Sequence, residues 1–221
     1  MKFFLDTANI AEIEEAASWG VLSGVTTNPS LYARESGCSI DSFPAHVKRI
    51  CDIVDGPVSA ETVTLKRDEI VEEGLRLAEI DPRVVVKVPV MPEGLAATKQ
   101  LAAKGVKVNM TLCFTVAQAI MSARSGAAYV SPFIGRFDDI CEDGMEHLGN
   151  VIQALANYDF GHKVEVIAAS VRHPQHVLGA ALLGADIATV PFKVLQQCVK
   201  HPLTDRGLES FLADWEKVKN S

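Results

Sequence analysis

This sequence has few aromatic residues and no paired cysteine motif. Aromatic residues make up only 6% of the chain, and its apolar content is mainly valine, isoleucine, leucine and alanine. That mixture favours parallel strands covered by helices over a β-sandwich. The five cysteines form no C-x-x-C pair and no zinc-finger spacing, which predicts reduced thiols that fill the core. They are Cys38, Cys51, Cys113, Cys141 and Cys198.

The sequence also lacks a basic block, a long apolar run and a leader segment. Its net charge is −7, which argues against a nucleic-acid partner. No apolar run approaches the ~20 residues of a membrane-spanning helix, and Asp6 interrupts the first apolar residues too early for a signal peptide. We therefore expect a cytoplasmic protein that binds neither nucleic acid nor a membrane.

Motifs for a nucleotide cofactor or a metal ion are missing as well. The chain has no G-x-G-x-x-G, no Walker loop and no H-E-x-x-H. His173 and His176 are close in sequence, but no third and fourth ligand follow at plausible spacing, so surface histidines are the better interpretation. We expect neither a cofactor nor a metal site.

What the sequence does contain is an alternation of short apolar runs with segments of helical spacing. The 221 residues are 48% hydrophobic, enough for one substantial core but short for two ordinary domains. The predicted strands are 2–7, 24–28, 58–63, 84–90, 106–114, 129–135, 164–171 and 187–194. Eight strands alternating with helices predict an α/β fold, a single (β/α)8 TIM barrel over residues 1–221. An additional C-terminal helix is predicted at about 204–218. A doubly wound open sheet is the alternative, but it usually has about five or six strands.

Polar residues interrupt these apolar strands. Lys87 lies in the run Val-Val-Val-Lys-Val-Pro-Val, and a charge facing the helix layer would cost several kcal/mol, so we expect it to point into the barrel. Other polar side chains occur toward the C-terminal ends of strands, where barrel active sites lie. They are Asp6, Asn28, Glu61, Asn109, Thr111, Ser131 and Ser170.

A lysine in such a strand is a candidate nucleophile. An amine removed from water gives up its proton more readily, and a neutral amine can attack a carbonyl carbon. The alternative is a buried ion pair between Lys87 and Asp6 or Glu61, although such pairs add little stability. Lys193, at the exit of the last predicted strand, is a second candidate, with a helix-start lysine as its simpler interpretation.

Two further pairs of residues have chemical interpretations. Asp6 and Glu61 in different surroundings could divide acid and base duties, or either could be a filler of the barrel layers. Arg136 and Arg172 follow adjacent predicted strands, which suits a phosphate group, with Ser170 adding a hydroxyl. The alternative for the arginines is a pair of surface salt bridges.

The motifs that contain these residues resemble those of the transaldolases, specifically the short bacterial type, over essentially the whole chain. They are Leu5-Asp6-Thr7-Ala8-Asn9, Gly24-Val25-Thr26-Thr27-Asn28-Pro29-Ser30, Val86-Lys87-Val88-Pro89, Asn109-Met110-Thr111-Leu112, Ser131-Pro132-Phe133-Ile134-Gly135-Arg136 and Ala168-Ala169-Ser170-Val171-Arg172. The resemblance implies transfer of dihydroxyacetone from sedoheptulose 7-phosphate to glyceraldehyde 3-phosphate. The products would be erythrose 4-phosphate and fructose 6-phosphate, in the non-oxidative pentose phosphate pathway.

The resemblance also implies a role for each site residue. Lys87 would form the Schiff base, Asp6 would take the proton of the C4 hydroxyl, and Glu61 and Thr111 would hold a catalytic water. The dihydroxyacetone part would be bound by Asn28, Asn109 and Ser131. The phosphate would be bound by Arg136, Ser170 and Arg172.

Close relatives of the transaldolases instead cleave fructose 6-phosphate, and they carry Gln and Tyr where this chain has Glu61 and Phe133. The resemblance therefore favours transfer, with the aldolase as the first alternative. A barrel that binds sugar phosphates without turning them over is the second.

The C-terminal segment predicts a homo-oligomer. Apolar residues recur there at helical spacing beyond the last strand, where a barrel needs no further core. They are Leu208, Phe211, Leu212 and Trp215. Transaldolases of this size form rings of five that stack into decamers, so the resemblance implies a decamer. The alternative is a helix that folds back on the bottom of its own barrel.

Overall fold

The computed structural model of the chain describes residues 1–220, and its central feature is a closed barrel of eight parallel strands. Each strand pairs with the next along the chain, and the last closes the barrel on the first. The strands are β1 (Lys2–Asp6), β2 (Leu22–Thr26), β3 (Val58–Glu61), β4 (Val84–Pro89), β5 (Val108–Cys113), β6 (Tyr129–Pro132), β7 (Glu165–Ala168) and β8 (Ile187–Val190). The predicted (β/α)8 barrel is confirmed, and the open sheet is excluded.

Eleven helices surround and extend this barrel within residues 1–220. They are α1 (Ile10–Ser18), α2 (Pro29–Tyr32), α3 (Phe43–Ile53), α4 (Arg67–Ala78), α5 (Pro92–Ala103), α6 (Val116–Arg124), α7 (Gly135–Asp138), α8 (Gly144–Ala156), α9 (Pro174–Leu183), α10 (Phe192–Val199) and α11 (Pro202–Lys219). The sequence pattern did not indicate α2 and α7, and it indicated α10 only through the interpretation of Lys193 as a helix-start lysine.

All eight strands end one to four residues before their predicted ends. For two of them the reason is a helix that begins there. The sixth strand ends at Pro132 rather than 135, and α7 starts at Gly135. The eighth ends at Val190 rather than 194, and α10 starts after Pro191. The apolar residues that extended the strand prediction instead face the core from α10, where Val194 and Leu195 are buried.

The lower part of the barrel interior is filled by a separate apolar cluster, which we call the floor. It consists of Phe4, Val85, Tyr129, Ile167 and Ile187. Each buried side chain of this size contributes about 1.5–3 kcal/mol relative to exposure. The alternate residues of the same strands, such as Val84, Val86 and Val88 in β4, pack in the larger cluster formed with the helices.

The cysteines only partly match the expectation that they fill the core. Cys51 and Cys113 are buried, and burial raises the pKa of each thiol to about 11. The expectation is wrong for the other three cysteines, which are exposed because two lie in surface segments and one lies on the solvent-facing side of α10. These are Cys38, Cys141 and Cys198.

The C-terminal helix α11 begins two residues before the predicted 204 and ends one residue after 218. None of its residues is buried in the single chain. In the described part of the chain, residues 1–220, no helix is both long enough and apolar enough to span a membrane.

Candidate active site at the barrel mouth

A cavity of about 290 Å³ opens at the C-terminal ends of the strands, directly above the floor. Side chains alternate along a strand, so the residue two positions beyond each floor residue also points inward. Those five residues all line the cavity: Asp6, Lys87, Ser131, Ala169 and Thr189. An apolar layer therefore lies beneath a predominantly polar one, which is where barrel enzymes place their reactive groups.

Lys87 points into the barrel, as its strand position predicted, and is only 5% exposed. Its Nζ lies 2.9 Å from Oε2 of Glu61 and donates a 3.1 Å hydrogen bond to the carbonyl of Thr27. The contact with Glu61 follows from the strand register, since Glu61 is paired with Lys87 across β3 and β4. The lysine is thus both ion-paired and on the cavity wall, which gives it access to a bound molecule.

Asp6 occupies the end of β1 on the same polar layer. Thr26 donates a 2.7 Å hydrogen bond to Oδ1 of Asp6, and the hydroxyls of Thr26 and Thr189 lie 2.5 Å apart. Burial raises the pKa of the Asp6 carboxyl, while attraction to Lys87 and the Thr26 hydrogen bond oppose that rise. A carboxyl with a raised pKa is suited to exchange a proton.

Thr26 and Thr189 were not among the predicted site residues. Both line the cavity and support Asp6. The signal that could have found them is parity: Thr26 pairs with Asp6 in the register of β1 and β2, and Thr189 follows Ile187 by two positions.

A buried chain of hydrogen bonds links three strands on another side of the interior. Ser131 Oγ donates to Asn109 Oδ1 at 2.7 Å, and Asn109 Nδ2 donates to Ser59 Oγ at 3.2 Å. Ser131 lines the cavity, whereas the fully buried Asn109 lies outside its lining and supports Ser131. Because Asn109 uses both ends of its amide, the orientation of Ser131 is fixed.

Thr111 and Glu61 also lie outside the lining of the main cavity. The hydroxyl of Thr111 is buried and has no hydrogen-bond partner among residues 1–220, a state that an ordered water would relieve. Glu61 reaches Lys87 with its carboxylate and also lines a neighbouring apolar cavity of about 310 Å³ with Tyr32 and Phe43. Glu61 therefore lies between Lys87 and this second cavity.

The outer part of the main cavity is positively charged. Arg136, Ser170 and Arg172 line it, as does Arg34, which the sequence did not indicate because the four-residue helix α2 preceding it was unpredicted. Arg172 Nη2 donates a 2.9 Å bond to Asp139 Oδ2, and both side chains are nearly half exposed. The surface salt bridge foreseen as an alternative is therefore present for Arg172, which nonetheless borders the cavity.

Asn28 and Phe133 border the cavity from the ends of β2 and β6. The Asn28 side chain accepts a 2.9 Å hydrogen bond from the backbone of Leu31 and so caps α2. The Phe133 ring makes an edge contact with Phe114, with centroids 5.6 Å apart. Lys193, by contrast, is an exposed residue of α10 outside this lining, which favours Lys87 as the nucleophile.

His173 and His176, which the sequence did not favour as metal ligands, have a third potential ligand beside them. Asp138, His173 and His176 bring one ligand-type atom each within 4.8 Å of one another. However, Nδ1 of His176 accepts the backbone N–H of Arg172 at 3.2 Å, so Nε2, 2.7 Å from Asp138, carries the proton. The lone pair on Nδ1 is already used by the Arg172 N–H, so the ring has none left for a metal, and the contacts favour a hydrogen-bonded pair. The prediction of surface histidines is wrong for His176, which is only 4% exposed.

The fold and the cavity define the class of the protein as a (β/α)8-barrel enzyme with a lysine, carboxylates and arginines at one mouth. The family described as Transaldolase/Fructose-6-phosphate aldolase matches residues 3–221. A probable transaldolase of Moorella thermoacetica is 56% identical over 100% of both chains. Probable transaldolases of Thermus thermophilus (55%, covering 99% of this chain and 100% of the relative) and Syntrophobacter fumaroxidans (53%, covering 99% and 98%) are also similar. The chain belongs to the transaldolase/fructose-6-phosphate aldolase family.

Proposed function

We propose that this enzyme is a transaldolase that carries dihydroxyacetone on Lys87 between sugar phosphates. Sedoheptulose 7-phosphate is the donor and glyceraldehyde 3-phosphate the acceptor, as in the non-oxidative pentose phosphate pathway. The observation that carries the proposal is the placement of Lys87 Nζ on the wall of the cavity, 2.9 Å from the Glu61 carboxylate. Family membership and the names of the relatives support it.

The first step is attack of the Lys87 amine on the donor's ketone carbon. The amine must first be neutral, and the adjacent Glu61 carboxylate is placed to accept its proton. The resulting carbinolamine loses its hydroxyl as water when a proton is returned, leaving the iminium. The unpartnered hydroxyl of Thr111 supports a water that relays these protons, although that hydroxyl is not itself on the cavity wall.

The second step breaks the C3–C4 bond. Asp6 removes the proton of the C4 hydroxyl, the C4–O bond becomes a carbonyl, and the C3–C4 electron pair moves into the iminium to give an enamine. The raised pKa of Asp6 makes it a stronger base once it is ionised, and Thr26 holds its orientation. The aldose product leaves, and the reverse sequence on the acceptor aldehyde completes the transfer.

The remaining polar residues bind the substrate at its two ends. We assign the dihydroxyacetone part to Asn28 and Ser131, with Asn109 acting through Ser131. The phosphate is assigned to Arg136, Ser170 and Arg172, because paired guanidinium groups suit a phosphate. No residue in this scheme requires a cofactor.

Reductive trapping tests the proposal directly. Borohydride added with fructose 6-phosphate should fix a dihydroxyacetone-sized mass on the peptide that contains Lys87, because reduction of the Schiff base is irreversible. Peptide mass mapping of the wild type, Lys87→Arg and Lys193→Arg identifies the site. Only Lys87→Arg should lose the label, and an unchanged label in that variant would contradict the assignment. A protein that binds fructose 6-phosphate but never takes up label would be the non-catalytic barrel.

Two statements about the molecule in the cell belong to the same proposal. We propose a homo-oligomer, and a decamer in particular, that acts in the cytoplasm. The exposed apolar stripe of α11 supports the first statement. The second rests on the metabolic role proposed for the enzyme and remains a prediction.

A further inference from the structure

Helix α7 and the loop that follows β7 meet beside the arginine-lined end of the cavity. The backbone N–H groups of Ile134 and Gly135 donate to the carbonyls of Ala169 and Ser170 at 2.9 and 3.1 Å. Ser170 has a φ of +60°, in the left-handed region that few side chains tolerate. The chain thus turns sharply at Ser170, just before Arg172, and the direction of Arg172 depends on what holds this turn.

His176, in the first turn of α9, holds the far side of the turn. Its Nδ1 accepts the backbone N–H of Arg172 at 3.2 Å. Its Nε2 lies 2.7 Å from Oδ2 of Asp138 in α7. Since a neutral imidazole has one donor and one acceptor nitrogen, these two bonds fix both the tautomer and the plane of the ring.

Asp138 and its neighbour Asp139 contact different parts of this arrangement. Asp138 orients His176, which holds the backbone of Arg172, while Asp139 pairs with the guanidinium of Arg172. The same helix contributes Arg136 to the cavity. Helix α7 and Asp139, the residue directly after it, therefore supply one arginine and position the other at two points. Neither His176 nor Asp138 lines the cavity itself.

We propose that His176, oriented by Asp138, is a positioning residue that fixes Arg172 and thereby sets the affinity of the site for the substrate's phosphate group. The inference deepens the proposed function and depends on it, because it requires Arg172 to bind that phosphate. It assigns to His176 an effect on phosphorylated substrates alone. A residue that only supported the fold would affect all substrates alike.

The test compares His176→Leu, which removes both hydrogen bonds, with His176→Asn, whose side-chain oxygen can still accept the Arg172 N–H. His173→Asn is the matched control, because the His173 ring contacts His176 at a tilt, with centroids 3.8 Å apart, but makes no hydrogen bond to Arg172 within the described residues. KM and kcat are measured with erythrose 4-phosphate and with unphosphorylated glyceraldehyde as acceptors, both with a saturating concentration of fructose 6-phosphate as the donor. Inhibition by inorganic phosphate is measured alongside.

His176→Leu should raise the KM for erythrose 4-phosphate and the inhibition constant of phosphate by about three- to tenfold, the effect of one hydrogen bond. The KM for glyceraldehyde and kcat should stay within about twofold of the wild type. His176→Asn should recover most of the loss, and His173→Asn should match the wild type. Equal rises for both acceptors, or no recovery in His176→Asn, would overturn the proposal.

Two further variants separate this inference from the proposed function. Arg172→Ala should raise the KM for erythrose 4-phosphate more than His176→Leu does, and if it does not, the phosphate assignment itself fails. If Arg172→Ala has that effect and His176→Leu has none, only the positioning role is wrong. Should His176→Leu fail to fold, Asp138→Ala removes the support from a partly exposed residue. It should then show the same selective rise, and a wild-type KM in that variant would refute the inference.

Discussion

If Asp6 is the base of the proposed function, folding and catalysis favour different protonation states of its side chain. Burial disfavours its charged form, and this cost exceeds the help from Lys87 and Thr26, so its pKa is raised. A carboxyl with a raised folded-state pKa stabilises the fold most below its unfolded pKa, and that contribution disappears as the pH rises through the folded value. Above the folded-state pKa, the ionised Asp6 carboxylate therefore weakens the fold.

Replacing Asp6 with Asn should separate these effects. Asn keeps an oxygen to accept the Thr26 hydrogen bond but carries no charge, so the free energy of unfolding at neutral pH should rise by up to about 1 kcal/mol. Transfer activity should fall by about 10²-fold or more, since proton transfer is lost. Urea unfolding monitored by circular dichroism measures the free energy of unfolding, and a coupled assay measures the transfer activity. The gain in stability should vanish below about pH 4, the unfolded pKa of Asp, and a variant less stable than the wild type at neutral pH would contradict the argument.

In the proposed cycle, we expect Phe133 to affect whether the enamine is transferred or protonated. Its ring borders the cavity and packs edge-on against Phe114. A tyrosine there would add an O–H that could place a water or a proton near the intermediate. Without one, this wall of the cavity is drier and the adduct should survive until an acceptor arrives.

Phe133→Tyr should therefore increase release of free dihydroxyacetone from fructose 6-phosphate and decrease transfer to an acceptor aldose. The change should be on the order of 10²-fold if a proton transfer is gained, and coupled assays of both reactions measure it. Adding Glu61→Gln should act in the same direction. A wild-type enzyme that cleaves as fast as it transfers would show that these two positions do not set the outcome.

The sequence predicted the orientation of Lys87 because strand parity is local: a lysine among valines must face the polar side of its strand. The same parity placed Asp6 and Ser131 on the cavity wall. The Asp138–His176 pair could not be predicted, because it joins residues of two separate segments whose proximity depends on how a loop and a short helix pack. Contacts of that kind have no periodic signature.

At the scale of elements, the short helix α7 carries more of the site than its four residues indicate. It begins at Gly135, where an added Cβ would lie 2.3 Å from the carbonyl oxygen of Ser170 and 2.7 Å from side-chain atoms of Arg172. Those atoms belong to the turn that carries the phosphate-binding residues in the proposed function. The absence of a side chain at residue 135 lets α7 approach that turn.

Gly135→Ala should disturb both stability and phosphate affinity. The new methyl group must displace backbone, so we expect a loss of about 1–3 kcal/mol in the free energy of unfolding and a higher KM for phosphorylated acceptors. Gly207→Ala in α11 is the control, because its Cβ would meet nothing within 4 Å. Thermal unfolding and steady-state kinetics supply the two measurements. Wild-type stability in Gly135→Ala would mean that the close approach is not needed.

The long helices and the barrel strands could be predicted from hydrophobic periodicity, which needs about two turns or more of repeated pattern. Helices α2 and α7 have four residues each, too few to show a period. The start of α2 nevertheless has a recognisable sequence signal, because Asn28 caps the helix and Pro29 occupies its first position. The end of β2 was misjudged for the same reason: residues 27 and 28 lead into a helix.

For the whole molecule, α11 raises the question of association. Its apolar stripe is largely exposed in the single chain, with Phe211 at 73% and Trp215 at 58%. The helix therefore does not cover the bottom of its own barrel, the alternative considered for it. An exposed stripe of this kind marks an interaction surface more often than a free face.

We predict an oligomer whose size falls when the stripe is charged. Phe211→Glu should shift the mass seen by light scattering at micromolar concentration toward that of the monomer, 23.8 kDa, because a buried carboxylate would be unpaired. Ser210→Glu, on the opposite face of the helix, should leave the mass unchanged. A wild type that already scatters as a monomer would rule the prediction out.

The floor of the barrel has a consequence for the order of events in a transfer reaction. Phe4, Val85, Tyr129, Ile167 and Ile187 close the interior below Lys87, so the main cavity opens only toward the C-terminal ends of the strands and not through the bottom of the barrel. In the proposed function, the aldehyde product and the acceptor aldehyde both use the mouth that the arginines line, so the product must leave before the acceptor can bind. Between these two steps the proposed enzyme holds dihydroxyacetone on Lys87 as an enamine. The fraction that is transferred rather than released as free dihydroxyacetone then depends on how well the cavity excludes water.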